Sequence, residues 1–154
     1  MSDAAFELPD GWGTARLQPS GPVRDCLGGT VRSYDHLGTE LVWTPGLVCA
    51  GAAAIACDLE HEGRFASPVR VPGAGPAGVA IQGWLATEVA AKLTREPILA
   101  FLVAHGVVDA PPEGPVTLEL DRYGGHGTAD VVIVRSVEGR RRAAFGVLRA
   151  RPPV

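Results

Sequence analysis

The sequence predicts an α+β fold with an antiparallel β-meander at the C-terminus, two or three helices packed against it, and short strands at the N-terminus. Apolar and polar residues alternate with period two from Val116 to Asp121, as in a strand with one solvated face. Apolar residues recur at helical spacing after Gly78. Turn residues divide the first 44 positions into short extended pieces.

The N-terminal part predicts three short strands followed by a helix. β-branched and aromatic residues occupy positions 13–17, 28–34 and 39–43, with proline and glycine between these pieces. Thr44 and Pro45 form a helix start signal, so we expect a helix over residues 46–61. Asp58, His61 and Glu62 would then share one helix face, which leaves open a metal site or a solvated helix end.

Two further helices are predicted over residues 79–94 and 97–105. Gln82 falls inside the apolar stripe of the first, so it is either a core residue bonded to backbone or a substrate contact. Glu88 and Lys92 pair at i, i+4 on the edge of that stripe. The second of these helices is apolar nearly all round, which predicts that it is buried, and Gly106 is its expected C-cap.

Three consecutive strands are predicted over residues 116–123, 129–136 and 141–150, as sequential antiparallel neighbours. The last two are joined by the turn at Glu138 and Gly139. No repeat or long linker divides the chain, so we expect residues 1–154 to form a single globular domain.

Composition excludes several classes of function. The net charge of −3 argues against a nucleic-acid partner. The longest apolar run, residues 45–57, is too short to span a membrane. Three cysteines without C-x-x-C spacing indicate neither a disulfide framework nor a thiolate zinc site, so we expect a cytoplasmic protein with no metal and no cofactor. Lys92 is the only lysine, and with the abundant alanine, glycine and proline this indicates a GC-rich bacterial genome.

A glycine-rich turn precedes the predicted helix over 79–94. Gly73, Gly75 and Gly78 have the spacing G-x-G-x-x-G, and backbone N–H groups at such a turn favour a bound anion. The string resembles the opening fingerprint of FAD- and NAD-binding Rossmann domains over these six residues. Pro72 interrupts the junction, and no acidic residue ends a second strand about 20 positions further on. An anion site and a plain structural turn therefore both remain open.

The loop from Asp121 to Asp130 is the candidate catalytic segment. It places three glycines around His126, which would let a ligand approach the imidazole. Asp121, Tyr123 and Asp130 could orient that ring or shift its pKa, and Arg122 could bind an anionic substrate. The alternative is an exposed hairpin tip.

These observations predict a small cofactor-free bacterial metabolic enzyme that performs acid–base chemistry on a small anionic metabolite. The reaction would be that of an isomerase, lyase, cyclase or hydrolase, with His126 moving the proton and the glycine turn binding the anion. The helix and the strand meander also resemble a hotdog-like acyl-CoA thioesterase, which implies Glu88 as the base. A non-catalytic binding or oligomerisation module is the third possibility. The Ala- and Gly-rich helix surfaces predict a homo-oligomer, most simply a dimer.

Overall fold

The computed structural model describes residues 5–19, 29–67, 69–71 and 78–150. These residues form a mixed α+β structure with two antiparallel sheets, which confirms the predicted fold class. The strands are β1 (Gly13–Pro19), β2 (Val31–Tyr34), β3 (Thr39–Pro45), β4 (Ala54–His61), β5 (Gly114–Glu119), β6 (Thr128–Arg135) and β7 (Arg141–Arg149). The helices are α1 (Ile81–Thr94) and α2 (Ile98–His105), with short 3-10 helices at Leu47–Cys49, Glu62–Phe65 and Leu120–Tyr123.

The strands are arranged in a three-stranded sheet and a four-stranded sheet. The first has the order β1-β3-β2 and the second the order β4-β7-β6-β5, with antiparallel pairing throughout both. Val131 of β6 lies opposite Val116 of β5 on one side and Gly146 of β7 on the other. The last three strands are therefore sequential antiparallel neighbours. Strand β4, which precedes both helices in the sequence, pairs with β7 at the edge of the sheet.

The two central strands of the four-stranded sheet, β6 and β7, are buried on both faces. Side chains of successive strand residues point to opposite faces, and here both sets are apolar. Val131 and Ile133 belong to the core shared with α1, whereas Val132 and Phe145 belong to the core shared with the three-stranded sheet. Burial on both sides explains the continuous apolar run of β6.

The helix predicted over residues 46–61 is wrong. Leu47–Cys49 forms a single 3-10 turn, and Ala54–His61 is β4, paired with β7 along its whole length. Because β4 is covered by α1 on one face and by the other sheet on the opposite face, tertiary packing of both faces outweighs the weak start signal of Thr44 and Pro45.

Helix α1 packs closely on β7. A Cβ atom at Gly146 would lie 2.5 Å from Cγ1 of Val89, so the glycine lets the helix approach the sheet. Arg95 ends α1 in the left-handed conformation with φ of 60°, and Pro97 precedes α2. Neither helix, nor any other found in the described ranges, is long and apolar enough to cross a membrane.

The prediction that the helix over 97–105 is buried is wrong in part. Phe101 and Leu102 of α2 are buried, but Leu99 is 63% exposed and Val103 is 78% exposed. The helix contacts α1 and the 3-10 helix that follows β5. Its opposite side, which carries Leu99 and Val103, is left open by the described residues.

Candidate functional site

The glycine-rich loop lies at the C-terminal end of α1. A Cβ atom at Gly125 would lie 2.9 Å from Cγ2 of Thr94, the last residue of the helix. The ring of Tyr123 is half-buried and contacts Phe101 and His105, with centroid distances of 5.5 Å and 5.8 Å. Tyr123 is therefore a packing contact of α2 in this structure.

The other candidate residues of this loop are directed to solvent or to the sheet. His126, Asp121 and Arg122 are exposed. The Asp130 carboxylate accepts a hydrogen bond from Thr117 Oγ1 at 3.3 Å and lies 3.7 Å from Nε of Arg149. The partners that the structure gives Asp130 are thus on β5 and β7.

The predicted anion-binding turn lies at the opposite end of α1. Gly73 and Gly75 fall outside the described residues, whereas Gly78 adopts a positive φ of 78°. Gly78 and the half-buried Gln82 line a cleft of about 280 Å³ together with Val107 and Asp109. Fourteen helical residues span about 20 Å, so this cleft and the His126 loop do not form one site.

The structure removes the geometric reason to expect a metal site at Asp58, His61 and Glu62. These residues lie at the end of β4 and the start of a 3-10 helix, so no helix face is shared. His61 Nδ1 accepts from the Gly63 backbone N–H, and the Glu62 carboxylate accepts from Nε of Arg142 at 2.8 Å. Among the described residues no group of three or more metal-ligating side chains comes together.

A different group of polar side chains gathers between β2, β4 and α1, and we call it the polar cluster. Strand β4 supplies two carboxylates that are two residues apart and therefore point to the same side, toward α1. Helix α1 supplies residues at i, i+4 and i+8, which lie on one helix face. The members of the polar cluster are Ser33, Asp58, Glu60, Arg64, Trp84, Glu88 and Lys92.

Asp58 is one of the two buried acids of the polar cluster, with Glu60. Its Oδ1 accepts hydrogen bonds from Ser33 Oγ at 3.2 Å and from Lys92 Nζ at 3.4 Å. Its Oδ2 is buried and has no hydrogen-bond partner among the described residues. Burial raises the pKa of Asp58 to about 7 against the opposing effect of Lys92, and the nearby Glu88 and Glu60 add to the rise.

Lys92 lies on the side of the polar cluster that faces solvent. Its Nζ donates to the carbonyl oxygen of Cys57 at 2.7 Å and to Ser33 Oγ at 3.4 Å. Its side chain is 39% exposed, so the ammonium group remains accessible from outside. A cation at this position can attract an anionic ligand while it stabilises the ionised form of Asp58.

Glu60 anchors the other end of the polar cluster. Both of its carboxylate oxygens accept from Arg64 Nη1, at 3.0 Å and 3.1 Å, and Oε1 also accepts from the Trp84 indole N–H at 2.8 Å. The Arg64 guanidinium lies 5.7 Å from the Trp84 ring centroid. These contacts fix Arg64 close to α1 while its side chain remains 37% exposed.

Glu88 lies one helical turn from Trp84 and one from Lys92. It is half-buried, and burial raises its pKa against the effect of Lys92. Two carboxyl groups with raised pKa values therefore lie beside a cation. That combination can accept or donate protons near neutral pH.

The sequence indicated only part of this arrangement. The spacing of Glu88 and Lys92 predicted that they share one helix face, although the ammonium of Lys92 is bonded to Asp58, Ser33 and the Cys57 carbonyl. The role of Asp58 was hidden because its segment was assigned to a helix. A period-two interpretation of residues 54–61 would have placed Asp58 and Glu60 on one face. A comparison with protein-family models, curated proteins and solved structures found no match.

Proposed function

We propose that this protein is a small cofactor-free enzyme that performs acid–base chemistry on a small anionic organic metabolite at the polar cluster. The reaction is an isomerisation, elimination, cyclisation or hydrolysis. The observation that supports this proposal best is the buried Asp58 carboxyl beside the ammonium group of Lys92, with one oxygen that has no hydrogen-bond partner among the described residues.

Glu88 is the proton carrier in this proposal. A general acid or base works best when its pKa lies near the working pH, and burial moves the pKa of Glu88 in that direction. Glu88 is also only half-buried, so a substrate can reach it. Asp58 is too deeply buried for direct contact and acts as a positioning residue for Lys92.

Two cations attract the anionic group of the substrate. Lys92 and Arg64 are each partly exposed, at 39% and 37%, and each is held by a buried carboxylate. Charged hydrogen bonds of this kind orient a carboxylate or phosphate ligand. The substrate would lie across the outer face of α1, with Glu88 between the two cations.

The experiment is a screen of small carboxylates and phosphates for turnover, followed by substitution of the proton carrier. We expect Glu88→Gln to lower turnover about 10²- to 10⁴-fold, because the amide cannot exchange a proton. Glu119→Gln, at an exposed position of β5, is the matched control and should keep full activity. Full activity in Glu88→Gln would contradict the proposal.

The His126 loop remains a prediction and is tested in the same assay. His126→Asn should leave turnover unchanged if the polar cluster is the site. A large loss in His126→Asn together with full activity in Glu88→Gln would assign the chemistry to the loop, with Tyr123, Asp121 or Asp130 as its supporting residues.

A hotdog-like acyl-CoA thioesterase is the second candidate. It is favoured by the position of Glu88 on a helix that packs against an antiparallel sheet, with an open cleft at the N-terminus of that helix. Release of free thiol from a panel of acyl-CoA esters, lost in Glu88→Gln, would support it. Binding of ligands without turnover of any panel member would indicate a non-catalytic binding module.

We also propose a homodimer in a reducing compartment such as the cytoplasm, with no nucleic-acid or membrane partner. The open apolar face of α2 supports self-association. Cys49 and Cys57 are free thiols, which supports a reducing compartment.

A further inference from the structure

We propose that Lys92 forms an imine with the carbonyl carbon of a small oxo acid, such as a 2-oxo carboxylate, and so acts as a covalent catalytic nucleophile. This inference rests on the proposed function, because it uses the same polar cluster and names the class of its substrate. It follows from the surroundings of the Lys92 amine and from the groups available to react with it.

The described part of the chain offers few other nucleophiles at this position. The Cys57 thiol is close in sequence to Asp58, but burial raises its pKa to about 12, so it stays protonated. Ser33 Oγ is buried and donates its proton to Asp58. Lys92 Nζ combines an amine nitrogen with access from solvent.

The Lys92 ammonium must lose a proton before it can react, and Asp58 can accept that proton. Nζ and Oδ1 are 3.4 Å apart, and the second oxygen of the same carboxyl is buried without a partner among the described residues. Burial of the Asp58 carboxyl disfavours its ionised form, which lowers the free-energy cost of moving a proton from Lys92 to it. The raised pKa of Asp58 also favours transfer of the proton from Lys92 to this carboxylate.

Every charged group that faces Lys92 has a part in this reaction. Asp58 takes the ammonium proton. Glu88, one turn away on α1, exchanges protons with the substrate, and its own pKa is raised by burial. Glu60 fixes Arg64 through two hydrogen bonds to Nη1, and Arg64 binds the substrate carboxylate from the solvent side.

The step balances without an oxidant or reductant. The free electron pair of Nζ forms a C–N bond to the carbonyl carbon, the C=O π pair moves to oxygen, and Glu88 in its acid form protonates that oxygen. Glu88, now a carboxylate, takes a proton from nitrogen and passes it to the hydroxyl oxygen. The nitrogen electron pair then forms the C=N bond as the C–O bond breaks and water leaves. The protonated imine withdraws electrons from the adjacent carbon, so that Glu88 as carboxylate can remove a proton there.

Borohydride trapping tests this directly. The full chain is incubated at pH 7 with pyruvate and sodium borohydride, digested and mapped by mass spectrometry. Lys92 is the only lysine in the sequence, so the α-amino group of the chain is the one other aliphatic amine and serves as an internal reference. An ordinary lysine has a pKa of about 10.4 and an α-amino group one of about 7.7 to 8.0, so an unactivated Lys92 would react more slowly than the reference.

We expect the reduced adduct on the Lys92 peptide to form faster than that on the α-amino group. Asp58→Asn, which cannot accept the proton, should lower the labelling rate of Lys92 about 10-fold or more and leave the α-amino rate unchanged. Labelling confined to the α-amino group, with pyruvate and equally with glyoxylate, would overturn the inference.

A further variant distinguishes failure of the imine inference from failure of the proposed function. Lys92→Arg keeps the positive charge and removes the nucleophile. If Lys92 is only an anion-binding cation, Lys92→Arg keeps much of the turnover and wild-type Lys92 is not trapped, whereas Glu88→Gln is still inactive. If the imine forms, Lys92→Arg loses turnover altogether and the adduct is found in wild type.

Discussion

Two opposing effects act on the carboxyl group of Asp58. Burial favours its neutral form, and the ammonium of Lys92 favours its ionised form; burial is the larger effect, so the pKa is raised to about 7. Asp35 is the opposite case. Burial alone would raise the pKa of Asp35, but hydrogen bonds from Arg141 and from the backbone of Thr39 and Leu37 lower it.

The Asp58 carboxyl should make the protein less stable as pH rises from about 4 to about 7. Its pKa is near 3.8 when unfolded and about 7 when folded, so the folded state binds the extra proton in this window. Stability is therefore lost as pH rises through the folded pKa. Asp58→Asn should reduce this slope in urea unfolding, whereas Asp130→Asn, at a half-exposed side chain, should keep it. An unchanged slope in Asp58→Asn would count against the assignment.

At the residue scale, the sequence identified side chains but not their surroundings. Glu88 and Lys92 were placed on one helix face because helical spacing alone sets that arrangement. The partners of Lys92 on β2 and β4, Ser33 and Asp58, are 59 and 34 positions away in sequence. Such long-range contacts depend on the packing of three elements, which no local pattern encodes.

Strand β7 is the element on which both cores depend. It lies between β4 and β6, and successive residues point alternately toward α1 and toward the three-stranded sheet. Phe145 packs edge-on against Trp43 and Phe6 on the side of the three-stranded sheet. Gly146, the next residue, lies under α1.

Gly146→Ala should destabilise the fold by about 1 to 3 kcal/mol, because the new methyl group would overlap Val89 and force α1 away from the sheet. Chemical unfolding followed by circular dichroism measures this change. Val137→Ala removes atoms from a side chain that is 65% exposed, and it should stay within about 0.5 kcal/mol of wild type. Equal stability of Gly146→Ala and wild type would show that α1 does not lie on β7 at this distance.

At the element scale, strands and helices with a single buried face were predictable. The alternation in β5 reflects such a face, and the apolar residues of α1 recur at helical spacing although most of that helix is buried. Strand β4 was missed because Ala54 and Ala56 share a face with Asp58 and Glu60, so the first half of the strand has no polar residue to mark the alternation. The start signal before Leu47 produces only one 3-10 turn. Whether both faces of a strand are buried depends on the layers packed against it, which the sequence of the strand alone does not show.

At the scale of the whole molecule, one face of α2 is apolar and is not covered by the described residues. Leu99 and Val103 lie one turn apart and are mostly exposed, and the helix carries no charged residue other than its terminal histidine. Contiguous apolar surface of this kind commonly marks an interface. A second copy of the chain could cover it by a two-fold contact of α2 with α2.

Replacing both Leu99 and Val103 by glutamate should convert the dimer into a monomer, because burying like charges across a two-fold contact is unfavourable. Light scattering at micromolar concentration measures the mass. Leu37→Glu, at an exposed position between β2 and β3, is the matched control and should remain dimeric. A monomeric wild-type protein would contradict the proposal.

The central claim, that the polar cluster is a site for proton transfer near neutral pH, is tested most directly by the titration of Asp58. The carbon chemical shift of its side-chain carboxyl is followed by NMR against pH, with Asp58→Asn identifying the signal. We predict a midpoint at about pH 7, because burial raises the pKa of this group. A midpoint near the ordinary value of 3.8 would contradict the account, since Asp58 would then remain ionised throughout the neutral range.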